Sequence, residues 1–117
     1  MPYVDGFVLA VPKDKLEAYK TQARDAGAVW LEHGALSYVE CVADDVPYGE
    51  LTSFPRAVQA KDDETVVFAW ATYESRAKRD EVMKKIFDDP RMKPQMENMQ
   101  FDGKRMIYGG FESFVAL

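Results

Sequence analysis

The stretch TVVFAWATY, residues 65–73, is apolar at both of its alternating sets of positions. Val67, Ala69, Ala71 and Tyr73 form one set; Val66, Phe68 and Trp70 form most of the other. Side chains alternate across a strand, so a strand with this pattern is covered on both faces. The run YVDGFVLAV, residues 3–11, has the same property, with Val4, Val8 and Ala10 on one side and Phe7, Leu9 and Val11 on the other. Two doubly apolar strands imply a sheet with something packed on each side.

Between them the period changes. Leu16, Tyr19, Ala23, Ala26 and Trp30 recur at three- and four-residue steps, which makes one apolar stripe on a helix of about five turns. Asp14 and Glu17 are spaced as a capping box, and Gly34 stands where a helix would stop. Gly27 inside the helix costs about 1 kcal/mol relative to alanine. LSYVECV, residues 36–42, predicts a second strand. After strand 65–73, Ser75 is placed to cap a second helix with an inner stripe of Val82, Met83, Ile86 and Phe87, stopped by Pro90. DPRMKPQMENM predicts short or irregular helical turns. Asp102 and Gly103 turn the chain into a last strand over residues 105–115, where Gly109 and Gly110 predict a bulge or a close backbone approach.

The order is βαββαβ, an α+β ferredoxin-like arrangement with a four-stranded antiparallel sheet. At 117 residues the chain is expected to be a single domain, residues 1–117, with an inserted segment at about 43–63 between the second and third strands. Two helices can cover only one face of the sheet. Apart from the 43–63 segment, nothing left in the chain can cover the second face and a second copy could, so a homodimer packed sheet to sheet, a dimeric α+β barrel, is expected.

Composition narrows the function classes. Twenty acids against fifteen bases give a net charge of −5, and the bases are scattered among acids along helices. Phosphate backbones need clustered Lys and Arg, so nucleic-acid binding is not expected. No apolar run approaches a membrane span. Cys41 is the only cysteine and the N-terminus lacks the basic start of a secretory signal, so a cytoplasmic location is expected.

Several residues carry candidate chemistry. His33, the only histidine, lies at the end of the first helix and is the candidate catalytic base. The alternative is a helix-terminal histidine held by the macrodipole. Asp44 and Asp45 are adjacent, so on extended chain their side chains diverge, which argues against a metal site or an acid–base dyad. One would cap a turn before Pro47 and the other would pair with a base such as Arg56. Arg56 and Arg105 could clamp a carboxylate, or form ordinary ion pairs. Trp70 and Tyr38, on predicted strands, are either core or pocket lining. No metal site and no cofactor are expected: one histidine cannot build a multi-histidine centre, and there is no Gly-rich phosphate loop, Ser-centred elbow or CxxC.

Several longer stretches carry a resemblance. YVDGFVLAVP, EHGAL at residues 32–36, TSFPRAV at 52–58, DDETVVFAW at 62–70, DPRM at 89–92 and FDGKRMIYGGFE at 101–112 resemble the YbaA-like family (domain of unknown function 1428) nearly throughout the chain. Gln100 stands where the family tends to have proline. The family resembles the dimeric α+β barrels, whose members include cofactor-free oxygenases and isomerases with a pocket between sheet and helices. The resemblance thus implies a homodimeric small-molecule-binding protein. Binding candidates are His33, Asp44, Asp45, Arg56, Trp70 and Arg105, around a pocket of roughly 300 Å³ or more. The alternative is a non-enzymatic interaction module whose 43–63 segment, an ordered flap near His33, grips a partner or the dimer mate.

Overall fold

Strand β1, Tyr3–Pro12, lies at the centre of the computed structural model, which describes all 117 residues. It pairs antiparallel with β3, Glu64–Tyr73, on one side and with β4, Ile107–Glu112, on the other. Strand β2, Ser37–Val42, completes the sheet along the far edge of β3, giving the order β2-β3-β1-β4. All pairings are antiparallel, and the two doubly apolar stretches are the two inner strands.

Helices α1, Leu16–His33, and α3, Arg76–Phe87, both lie on one face. The short α2, Phe54–Ala57, belongs to the connection between β2 and β3, and the short α4, Lys93–Glu97, follows α3. Tyr3, Ala71 and Tyr73 of the sheet pack with Val29 of α1 and with Val82 and Ile86 of α3. Leu9, Val11 and Val67 pack with Tyr19. One buried ion pair crosses this layer: Arg79 Nη1 of α3 donates to Asp5 Oδ1 at 2.6 Å. Separating either partner would leave a buried charge unpaired, so the pair fixes α3 on the sheet.

Local signals account for most boundaries. Ser75 Oγ accepts from the Lys78 N–H and caps α3. Gly34 ends α1 at φ 122°, a backbone conformation that side chains with a Cβ rarely adopt. Gly110 answers to a close approach and not to a bulge, for the β1–β4 register is unbroken; a Cβ there would stand 2.8 Å from the Tyr3 ring.

Three expectations need correction. Asp14 does not cap α1: a 3-10 turn at Lys13–Lys15 intervenes, and no side chain caps Leu16's helix. β4 starts at Ile107 and ends at Glu112, because Asp102 accepts from the Lys104 N–H and winds Gly103–Arg105 into a 3-10 turn. Phe87 faces solvent at the end of α3 instead of joining its inner stripe.

The opposite face of the sheet carries no helix layer. The molecule is accordingly flat, 37 × 36 × 21 Å. Part of this face is covered by the 43–63 connection: Val58 is 1% exposed and packs on Val8, Ala10 and Val66. Phe54 of the same connection meets Phe68 edge to face at 5.7 Å and leaves it partly exposed, and beyond it Ile107 and Phe111 stay exposed.

Candidate functional site

Gly27 and Tyr38 begin the site. Gly27 is buried on the inner side of α1, and the Tyr38 ring of β2 occupies the space its Cβ would fill, which would be 2.6 Å from Cδ1. The ring also meets Trp30, centroids 5.5 Å apart. So seated, the Tyr38 hydroxyl donates to Glu40 Oε2 at 2.6 Å. Tyr19 of α1 donates its hydroxyl to the other oxygen, Glu40 Oε1. A single carboxylate thus holds a phenol on each oxygen, one from the helix and one from its own strand. Burial foremost, and then the Glu40 charge, push both phenols' pKa values well above the usual tyrosine range, so they stay protonated and keep donating.

This trio is one wall of a cavity of about 200 Å³ between α1, the sheet and the 88–106 connection. Phe7, Leu9 and Ala69 form the floor, and Ala23, Ala26 and Trp30 the helix side. Met92, Met96, Met99 and Phe101 close it from the connection after α3. Gln22 Nε2 donates to the Asn98 carbonyl at 2.7 Å and ties that cover to α1. Phe101 meets the Tyr19 ring edge to face at 5.8 Å. On the other side of the trio, toward the β2 edge, lies a more open groove of about 360 Å³ that also takes in Lys20 and Arg24. Tyr19, Tyr38 and Glu40 border both spaces and separate them.

The residues singled out from sequence are elsewhere and apart from one another. His33 Nε2 sits 2.7 Å from Asp89 Oδ2, at the C-terminal end of α1. Arg91 also grips Asp89, with Nη2 2.7 Å from Oδ2, and is the leading reason its carboxyl lies well below the usual range. His33 therefore ties α1 to the turn after α3 and lines neither space. Asp44 and Asp45 follow β2 with no ion-pair or hydrogen-bond partner, so the expected Asp–Arg56 pair is absent. Arg56 instead donates to the carbonyls of Tyr48 at 3.0 Å and Gly49 at 3.1 Å, and its guanidinium covers the Tyr48 ring. It is the internal clamp of the 43–63 connection. That connection leaves β2 at the end opposite His33, about 20 Å away for a six-residue strand, and is no flap near that histidine. Trp70 lies on the open face beside Phe68, centroids 5.7 Å apart, with the sheet between it and the cavity. Arg105 makes two bonds to Glu64, at 2.8 and 2.7 Å, and one to Asp102 at 3.0 Å. It fastens the turn before β4 to the start of β3.

Glu40, Tyr19 and the methionines of the 88–106 connection were not singled out by the sequence. One signal was available. Glu40 shares its side of β2 with Tyr38, and β3 beside it is apolar on both faces, so a charged residue there faces a covered interior.

Residues 2–103 match the family described as protein of unknown function (DUF1428). The chain belongs to this family. The uncharacterized protein YbaA of Escherichia coli (strain K12) is 55% identical over 115 residues, covering 98% of each chain. The protein of the same description in Shigella flexneri matches equally. Among solved structures, a crystal structure described as a dimeric ferredoxin-like protein from an uncultured marine organism superposes with a TM-score of 0.59. It covers 100% of this chain and 98% of that one at 13% identity, which shows a shared ferredoxin-like α+β fold.

Proposed function

We propose that the protein binds a small organic molecule in the cavity beneath α1, with Glu40 as its polar anchor. Glu40 carries this reading. Glu40 is half-buried, and bringing part of a carboxylate to the wall of an apolar cavity costs hydration, whereas a residue that only filled space there would be apolar. Two phenols hold both oxygens in place, the arrangement of a site whose polar group must not wander. The cavity is smaller than the 300 Å³ expected from the sequence, so the ligand is compact. In a catalytic version, an isomerase or cofactor-free oxygenase, Glu40 is the proton acceptor and replaces His33 in that role. A thermal-shift screen of compact fragments tests the reading. Hits should raise the midpoint of the wild type and not of Ala26→Trp, whose indole fills the cavity. Silence of the wild type throughout a broad screen sinks it.

The open face supports a second element, a cytoplasmic homodimer packed sheet to sheet. Phe111 is 63% exposed and Phe68 42%, beside Ile107 and Trp70. Such a cluster on a monomer would mark an interaction surface. A two-fold axis through it would bury the apolar side of both sheets about 10 Å apart. The described dimeric state of the solved neighbour favours this. The 43–63 connection borders the same face and carries a further exposed apolar side chain, Leu51, at 94%. The exposed lone thiol of Cys41 fits a reducing compartment. Sedimentation should give a dimer at micromolar concentration. The Phe68→Glu, Phe111→Glu pair should give a monomer, and deleting residues 47–54 should weaken the dimer. A wild-type monomer at that concentration refutes the arrangement.

A further inference from the structure

The polar end of the cavity offers acceptors almost alone. A tyrosine hydroxyl has one hydrogen to donate. Those of Tyr19 and Tyr38 both go to Glu40. What remains facing a ligand is the free lone pairs of the carboxylate and of the two phenol oxygens. No Lys, Arg or His lines this cavity, and no ion pair engages Glu40. The nearest basic side chains that share a space with it, Lys20 and Arg24, belong to the groove on its other side. The other polar lining residues are Gln22, already bonded to the Asn98 carbonyl, and Gln95.

A ligand's head group must therefore bring hydrogens to this end. An anion would meet a carboxylate, and a carbonyl would find no donor from either phenol. A cation gains twice: from the Glu40 charge, and from the aromatic rings of Tyr19, Tyr38, Trp30 and Phe101 that surround it. The rest of the lining is apolar, with thioethers from Met92, Met96 and Met99 that adapt to the shape of a ligand body. At about 200 Å³ the cavity holds roughly seven waters' worth of liquid volume, so the body has about ten non-hydrogen atoms or fewer.

We infer that the cavity selects a small organic amine, with its ammonium group on Glu40 and the Tyr19 and Tyr38 oxygens and a compact apolar body under the methionines. This rests on the pocket reading above and narrows it to one ligand class.

Three probes of one skeleton test it: 2-phenylethylamine, 2-phenylethanol and phenylacetate, by calorimetric titration and thermal shift at neutral pH. The amine should bind at least tenfold more tightly than the alcohol, and the acid should not bind. Glu40→Gln removes the charge and keeps the side-chain shape, and should cost the amine at least tenfold more in affinity than it costs the alcohol; an equal loss for both overturns the inference. Glu40→Asp retracts the charge by one methylene and should weaken the amine by a smaller factor, which covers the case in which the glutamine variant does not fold. Binding of the alcohol or acid as tightly as the amine overturns the amine inference and leaves the pocket reading standing. So does silence of all three probes alongside hits in the broad screen. Silence in both overturns both.

Discussion

Replacing Gly27 by alanine sets two effects of opposite sign against each other. In an exposed helix the change stabilises by about 1 kcal/mol, since alanine loses less backbone entropy than glycine. In α1 the new Cβ would stand 2.6 Å from Tyr38 Cδ1, 3.0 Å from Cε1 and 3.2 Å from Cγ. Carbon contacts are comfortable at about 3.5–4.0 Å, so the ring has to retreat by about 1 Å. It is not free to do so, being bonded to Glu40 at 2.6 Å and packed on Trp30. Overpacking of this kind costs about 1–3 kcal/mol, and the strained phenol–carboxylate bond about 1–2 kcal/mol more. The net expectation is a destabilisation of about 1–4 kcal/mol, read by urea denaturation at fixed protein concentration. In a Tyr38→Leu background the ring is gone, and the same alanine should stabilise by up to about 1 kcal/mol. The two substitutions should therefore couple by about 2 kcal/mol or more in a double-mutant cycle. Stabilisation by Gly27→Ala in the wild type, or additivity with Tyr38→Leu, would refute the claim that the missing Cβ seats Tyr38 and, through it, Glu40.

His33→Asn should leave binding of any cavity ligand unchanged, because His33 contacts Asp89 and not the cavity; a tenfold loss in a calorimetric titration would return His33 to the site. Hydrogen bonds from Arg105 hold the Glu64 carboxyl down to about 2 from 4.5. The folded value is the lower one, so this pair stabilises fully above about pH 4.5 and loses its contribution as pH falls toward 2. With the partly exposed arginine screened by solvent, the contribution is about 2 kcal/mol, and Glu64→Gln should flatten the acid limb of stability against pH by that amount. An unchanged limb would assign the acid sensitivity elsewhere. Val58→Ala should cost about 2 kcal/mol, because Val58 anchors the 43–63 connection on Val8, Ala10 and Val66; a loss below about 0.5 kcal/mol would mean that the connection is not fastened there.

The elements legible in the sequence are those set by neighbours in the chain. The stripe from Leu16 to Trp30, the Ser75 cap and the Gly34 stop each depend on spacing within one element, and each is present. The Asp14–Glu17 box had the right spacing, yet the chain leaves β1 through a 3-10 turn that starts the helix at Leu16, so the carboxylate misses its donors. The functional candidates fared differently. Histidine, paired aspartates and arginines stand out in a sequence for what their groups can do in isolation. Tertiary neighbours used that capacity to fasten elements: His33 on Asp89, Arg105 on Glu64, Arg56 on two carbonyls of its own loop.

By itself the sequence determined the ferredoxin-like order and the need to cover a second sheet face, because period and apolar content are properties of short stretches; that β1 and β3 are the inner strands is read from the pairing. Only the tertiary structure decided where a polar group meets an apolar space. Tyr19 and Glu40 are twenty-one positions apart. Their meeting depends on α1 crossing β2 at the one place where Gly27 admits the Tyr38 ring. The reason is physical: a strand's alternation says which side a residue faces, but the partner waiting on that side is set by how helix and sheet pack, a long-range contact that no local spacing encodes.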